Sequence, residues 1–189
     1  MVARTVLVDA SVFYAAPVRD LLLELALSNL FRAKWTERIN DEWIRHLLAN
    51  RPDLTAAQLA RTRTLMAAHV RDGVVEDYEA LIETLTLPDP DDRHVLAAAI
   101  KSHADVIVTF NLTDFPASTL GQYGMEASHP DAFLGALLDL DQAEVSAAAR
   151  RVRARLRQPP LDVAAYLAAL ERSGLPATAA RLRTMAVRL

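Results

Sequence analysis

Four acidic side chains, Asp9, Glu42, Asp92 and Asp114, are the residues of this chain best suited to chemistry, because two of them sit where an apolar strand should run out. Thr5-Val6-Leu7-Val8 is an apolar, β-branched run that ends in Asp9. Asp105-Val106-Ile107-Val108-Thr109 is a second such run, followed by Asn111 and Asp114. A carboxylate at the end of a buried strand is costly to desolvate unless it is paired or ligates a metal. Carboxylates gathered in one place repel one another unless protons or a cation offset the charge. The chemistry expected of such a set is a divalent-metal site acting on phosphoryl groups. Ser11 can offer its hydroxyl to the same site, to a phosphate, or to the local turn. Thr109 can hydrogen-bond a carboxylate or a phosphate.

The elements between the two strand-like runs are helical, which is the pattern of a parallel α/β sheet with both strand ends on one edge. Ligands of open α/β sheets bind at that edge. Pro17 opens a helix predicted over 18–30, Thr36 caps one to about Ala49, and Thr55 caps one to about His69. A short strand at Val74-Val75, a helix over 78–85 and an edge strand over 124–127 are further expectations. The Asp89-Pro90-Asp91-Asp92 cluster leads into a helix to about His103, with Asp91 placed as the cap. Asp92 shares the stripe of Leu96, Ala99 and His103 and so faces the sheet. Glu42 lies off the centre of the apolar face set by Ile39, Trp43, Ile44, Leu47 and Leu48, where periodicity alone reads a solvated residue. His46, His94 and His103 are read as packing or surface residues on helices, with no histidine base.

Beyond Asp139 the pattern is helices only: Pro159-Pro160 ends the first, and segments over 162–172 and 176–187 follow. The expected organisation is an α/β domain over 1–139 and a small all-helical appendage over 140–189. The net charge of −3 divides unevenly. Residues 1–140 hold 20 acids and 12 bases, a net of −8, whereas 141–189 hold 4 acids and 9 arginines, a net of +5. Nucleic-acid contact is therefore expected to lean on the tail, with Arg150, Arg153 and Arg157 as substrate-binding candidates beside Arg151 and Arg155. There are no cysteines, which excludes thiolate catalysis and zinc–sulfur sites. No apolar run approaches the roughly 18 residues of a membrane span, and no signal peptide is read at the start. A cytoplasmic address is the expectation.

Four blocks carry a resemblance: Val6-Leu7-Val8-Asp9-Ala10-Ser11; the helix bearing Glu42; Asp89 to Ala99; and Val106 to Phe115. In order and spacing they resemble the signature blocks of PIN-domain nucleases, among them VapC-type toxins of the subgroup with a C-terminal helical extension. The resemblance implies a three-layer α/β/α fold around a central parallel sheet. It also implies a metal-dependent endoribonuclease whose Asp9 and Asp92 are the main ligands of Mg²⁺ or Mn²⁺. Glu42 and Asp114 would complete the acidic quartet, Asn111 being the other candidate for the fourth place. Products with 5′-phosphate and 3′-hydroxyl ends, an RNA substrate, a cognate antitoxin and a homodimer are implied too. Competing expectations are a housekeeping RNA- or DNA-processing nuclease and a catalytically silent scaffold binding RNA or protein. A phosphotransfer receiver or dehalogenase-like hydrolase also puts Asp at a strand end, but the only lysines, Lys34 and Lys101, are not placed for either.

Overall fold

The computed structural model describes residues 3–157 and 160–185. At its centre β1 (Arg4–Val8) is buried from Thr5 onward without alternation, the signature of a strand covered on both faces. With β2 (Phe31–Lys34), β3 (Val106–Val108) and β4 (Glu126–Ser128) it forms a parallel sheet in the order β2-β1-β3-β4. Strand β1 therefore lies between two strands reached by separate crossovers. The crevice between the carboxyl ends of β1 and β3 is the switch point at which such sheets bind ligands. Val8 is in register with Val108, and the Asp9 N–H donates to the Val108 carbonyl at 3.0 Å. Asp9 and Thr109 thus leave the sheet side by side.

Asp9 caps a short helix, α1 (Ala10–Tyr14), and α2 (Ala16–Leu27) follows with Pro17 in its first turn. The helix stops at Leu27, short of the expected Leu30, because Asn29 takes a left-handed φ of 59° and turns the chain into β2. Strand β2 was not expected. Its four residues, Phe31 and Ala33 buried and Arg32 exposed, are too few for periodicity to register. Thr36 caps α3 (Glu37–Asn50) through Ile39 N–H at 3.1 Å, and Thr55 with Gln58 forms a capping box on α4 (Ala56–His69), as the sequence predicts. Val74 makes a single parallel bridge to Trp35 in place of the expected strand, and α5 (Glu79–Ile82) is shorter than the helix predicted there. Gly73 supplies the carbonyl for the Trp35 N–H, and a Cβ there would lie 2.4 Å from the Trp35 ring.

A 3₁₀ turn, Pro90–Asp92, precedes α6 (Arg93–Lys101). The cap of that turn is Asp89, whose carboxylate accepts the Asp91 N–H at 2.8 Å, a correction to the expectation for Asp91. Past β3 come α7 (Ala117–Leu120), then β4 one to two residues later than predicted, then α8 (Pro130–Leu140). Three further helices, α9 (Gln142–Arg155), α10 (Val163–Arg172) and α11 (Pro176–Arg183), complete the helical C-terminal part. The last helix ends at Arg183, short of the expected 187, and Pro159 lies outside the described residues. Phe133 of α8 packs edge-on against Phe31 of β2 at 5.1 Å. Val145, Ala149 and Val152, which share one face of α9, are buried, whereas Leu156 at its C-cap is half-buried. Asp131 of α8 accepts the Ala177 and Thr178 N–H groups at 2.9 and 2.8 Å, which ties down the start of α11.

Candidate active site

At the β1–β3 switch point Asp9, Ser11, Glu42, Asp92 and Asn111 line one cavity of about 440 Å³, with Trp43, Arg45 and His46 on its wall. Four of the predicted residues come from different elements: Asp9 ends β1, Glu42 sits on α3, Asp92 ends the 3₁₀ turn before α6, and Asn111 follows β3. Asp9, 6% exposed, is tightly held. Its Oδ1 accepts the Ala10 N–H at 2.7 Å, and its Oδ2 accepts the Ser11 hydroxyl at 2.6 Å and the Thr109 hydroxyl at 2.9 Å. Each hydroxyl is positioned in turn by a backbone N–H from the loop after β3: Phe110 donates to Ser11 Oγ at 3.2 Å, and Asn111 to Thr109 Oγ1 at 2.9 Å. Thr109 is fully buried and its hydroxyl bonds a carboxylate, the first of the two roles expected of it.

Glu42 is placed by partners that periodicity does not report. Buried His94, at the start of α6, brings Nε2 to 3.0 Å from Glu42 Oε1, and Arg38, one turn earlier on α3, brings Nε to 3.3 Å. Burial pushes the Glu42 carboxyl up, but the His94 and Arg38 contacts outweigh it and hold it below the usual glutamate value. His94 is thus a site residue that its reading as packing missed. The available signal was its place two residues after Asp92. Its Nδ1 is buried without a hydrogen-bond partner among the described residues, so the bond to Glu42 is the contact that orients the ring. His46 and His103 are both exposed, and His103 lies past the end of α6 with φ of 50°.

Asp92 is the electrostatic focus. Its carboxylate caps nothing, and burial followed by the charges of Asp9, Asp114, Asp89 and Glu42 pushes its pKa up to about 7. Asp114, half-buried on the turn Leu112–Asp114, therefore acts on the site through charge, while Asn111 lines the cavity itself. Among the described residues no cluster of three or more His, Asp or Glu side chains is already closed around an ion position. A magnesium-type ion does not need such a cage, since it keeps several waters and takes one or two carboxylates plus substrate phosphate. The carboxylate oxygens of Asp9, Glu42 and Asp92, the last without a hydrogen-bond partner among the described residues, fit that ion. Serine and asparagine at the rim add neutral oxygen donors.

The tail arginines divide. Arg150 and Arg157 are exposed, and Arg153 donates to the Leu161 carbonyl at 3.1 Å. Arg151 and Arg155 both pair with Glu24 of α2, so those two clamp the extension to the body.

The PIN domain family profile matches residues 5–113, and the VapC50 C-terminal domain profile matches residues 130–184. A protein of Mycobacterium tuberculosis (strain ATCC 25618 / H37Rv) named "Putative ribonuclease VapC50" is 40% identical over 94 residues, 50% of this chain and 55% of that one. The match thus spans about half the length of the curated relative. No solved structure matches the chain. With the family profile covering more than half of its 189 residues, through the segments that carry Asp9, Glu42 and Asp92, the chain belongs to the PIN domain family and carries a VapC50-type C-terminal domain behind it.

Proposed function

We propose that the protein is a divalent-metal-dependent endoribonuclease, the toxin of a toxin–antitoxin pair, hydrolysing RNA phosphodiester bonds at the Asp9–Asp92 centre. The observation that carries this reading is the convergence of Asp9, Glu42 and Asp92 on one cavity, where burial and then the charges of Asp9, Asp114, Asp89 and Glu42 raise the Asp92 pKa to about 7. Family membership and the ribonuclease named among the relatives support RNA as substrate. A cognate antitoxin, a homodimer and a cytoplasmic address belong to the same reading, as does the division into a nuclease domain over 1–139 and an extension over 140–189. Among the described residues no helix is long and apolar enough to cross a membrane.

Asp9 and Asp92 would hold Mg²⁺ or Mn²⁺, with Glu42 and Asp114 completing the acidic set. When bound there, such an ion offsets phosphate charge and lowers the pKa of an attacking water. The remaining work falls to the chain. Ser11 and Thr109 orient the Asp9 carboxylate, so that little reorganisation is needed when charge develops in the transition state. His94 and Arg38 engage Glu42 Oε1 and direct the carboxylate into the cavity. The Asn111 amide, on the exposed rim, would donate to a phosphate oxygen. Arg150, Arg153 and Arg157 would attract the polyanion from outside.

Incubating total RNA with EDTA, Mg²⁺ or Mn²⁺ tests the proposal, with cleavage ends mapped by sequencing. Wild type should cut only with metal and leave 5′-phosphates. Asp9→Asn should leave RNA intact with an unchanged circular dichroism spectrum. Cutting by purified Asp9→Asn at the wild-type rate would overturn the assignment.

A further inference from the structure

Beside the acidic cavity runs a second groove of about 650 Å³, and Ser11 lines both. The sign of the charge inverts across that residue. The cavity carries Asp9, Glu42 and Asp92, whereas the groove lining holds Arg19, Arg51 and Arg172 and not one Asp or Glu. Arg19 is buried, donates to the Phe13 carbonyl at 3.1 Å, lies over the Trp43 ring at 5.2 Å and pairs with Asp20 at 3.4 Å, so the charge open to a phosphate comes from Arg51 and Arg172. Arg51 is exposed and paired with exposed Asp53, an ion pair weak enough to exchange for a phosphate. Arg172 is exposed and makes no ion pair among the described residues.

Arg172 and Ser173 come from the C-terminal extension, and the turn after them is seated on the catalytic loop. Gly174 has a φ of 88°, and a Cβ there would lie 2.7 Å from Phe110 Cε1, so only glycine lets the turn settle on that ring. Leu175 beside it is fully buried. Phe110 is the residue whose N–H fixes the Ser11 hydroxyl. The extension therefore forms one wall of a basic groove that starts at the acidic centre.

We propose, resting on the nuclease reading above, that this groove holds the single-stranded RNA flanking the scissile bond, with Arg172 and Arg51 on its phosphates. Half-buried Tyr14, also on the lining, gives a flanking base an aromatic surface, and a basic track with an aromatic platform is how single strands are held without base readout. A polyanion repelled by three carboxylates is thereby anchored immediately beside them. The extension is thus part of the substrate site and not only a lid on α2.

The test is fluorescence anisotropy of a labelled single-stranded RNA of about 12 nucleotides, within the usual span of such sites, on the full chain in EDTA. Two groove variants are compared. Arg172→Glu reverses a charge, and Gln58→Glu adds one while keeping the capping box, because a glutamate at that position serves the same cap. Arg71→Glu is the control, since Arg71 lines a pocket with Thr5, Arg32 and Ser102 at the opposite edge of the sheet. Both groove variants should weaken binding roughly tenfold, and Arg172→Glu should lower the salt slope by about 0.7, one phosphate contact of a single strand. Arg71→Glu should bind as wild type does. If both groove variants bind like wild type while wild type still cuts RNA with Mg²⁺, the groove assignment is overturned and the nuclease stands. If binding follows the groove charges but no metal supports cutting, the nuclease reading is what fails.

Discussion

Asp9 Oδ2 accepts from two hydroxyls, and each hydroxyl accepts a backbone N–H from the loop after β3, so strand β1 and that loop are locked around one carboxylate oxygen. Replacing Thr109 with Val keeps the shape but removes a donor to Asp9 and leaves the Asn111 N–H without its acceptor. A hydrogen bond to a charged group contributes about 1.5–3 kcal/mol, which corresponds to roughly 10- to 100-fold in rate. Cleavage by Thr109→Val should fall within that range in kcat, while RNA binding in EDTA stays at the wild-type level. A variant that loses binding but keeps kcat would return Thr109 to the role of a substrate contact. Asp9 was legible because a carboxylate interrupts an apolar strand. Glu42 was not, because what draws it into the site is His94, 52 positions along the chain, and periodicity within one helix carries no information about a partner on another.

The same limit operates between elements. Local signals placed the helices well: Thr36 and Thr55 cap where their hydroxyls can reach the third N–H, and Gln58 returns its side-chain oxygen to the Thr55 N–H. Strand β2 and α1 escaped notice because four residues are only two periods of a strand and five are fewer than two turns of a helix. The arginines of α9 were read as free basic surface, yet Arg151 and Arg155 close on Glu24, a buried carboxylate of α2 held below its usual pKa because the two guanidinium groups outweigh the effect of burial. That latch is expected to hold the extension on the body. Glu24→Gln should lower the unfolding free energy in urea by about 2 kcal/mol, toward the low end for charged hydrogen bonds because the arginine heads can rehydrate. Asp53→Asn, which breaks the exposed Arg51–Asp53 pair, should produce no measurable change. Equal effects of the two substitutions would remove Glu24 from this role.

Across the whole molecule the charge division, −8 over residues 1–140 and +5 beyond, is visible in the sequence, but its use is not. Besides the Glu24 clamp, Arg181 pairs with Asp139 and Arg183 with Glu171, so much of the basic excess binds the extension to the body or to itself. What remains to meet RNA is a small set, Arg172 among them. Three acids of the body, Asp9, Glu42 and Asp92, meet instead at the β1–β3 switch point, where the strand order puts carboxylates from distant segments into one cavity.

That concentration predicts a cation, and Asp92 reports on it. With a pKa of about 7 in the metal-free protein, its carboxyl is about nine-tenths protonated at pH 6 and about nine-tenths ionised at pH 8, and only the ionised form binds metal. Calorimetric titration of Mn²⁺ into the metal-free chain at both pH values measures this directly. Wild type should bind about tenfold more tightly at pH 8 than at pH 6, Asp92→Asn should lose the pH dependence along with most of the affinity, and Asp9→Asn should bind weakly throughout. Mn²⁺ uptake at pH 8 that is absent from wild type, or undiminished in both variants, would contradict the claim that these acids form a metal-dependent catalytic centre.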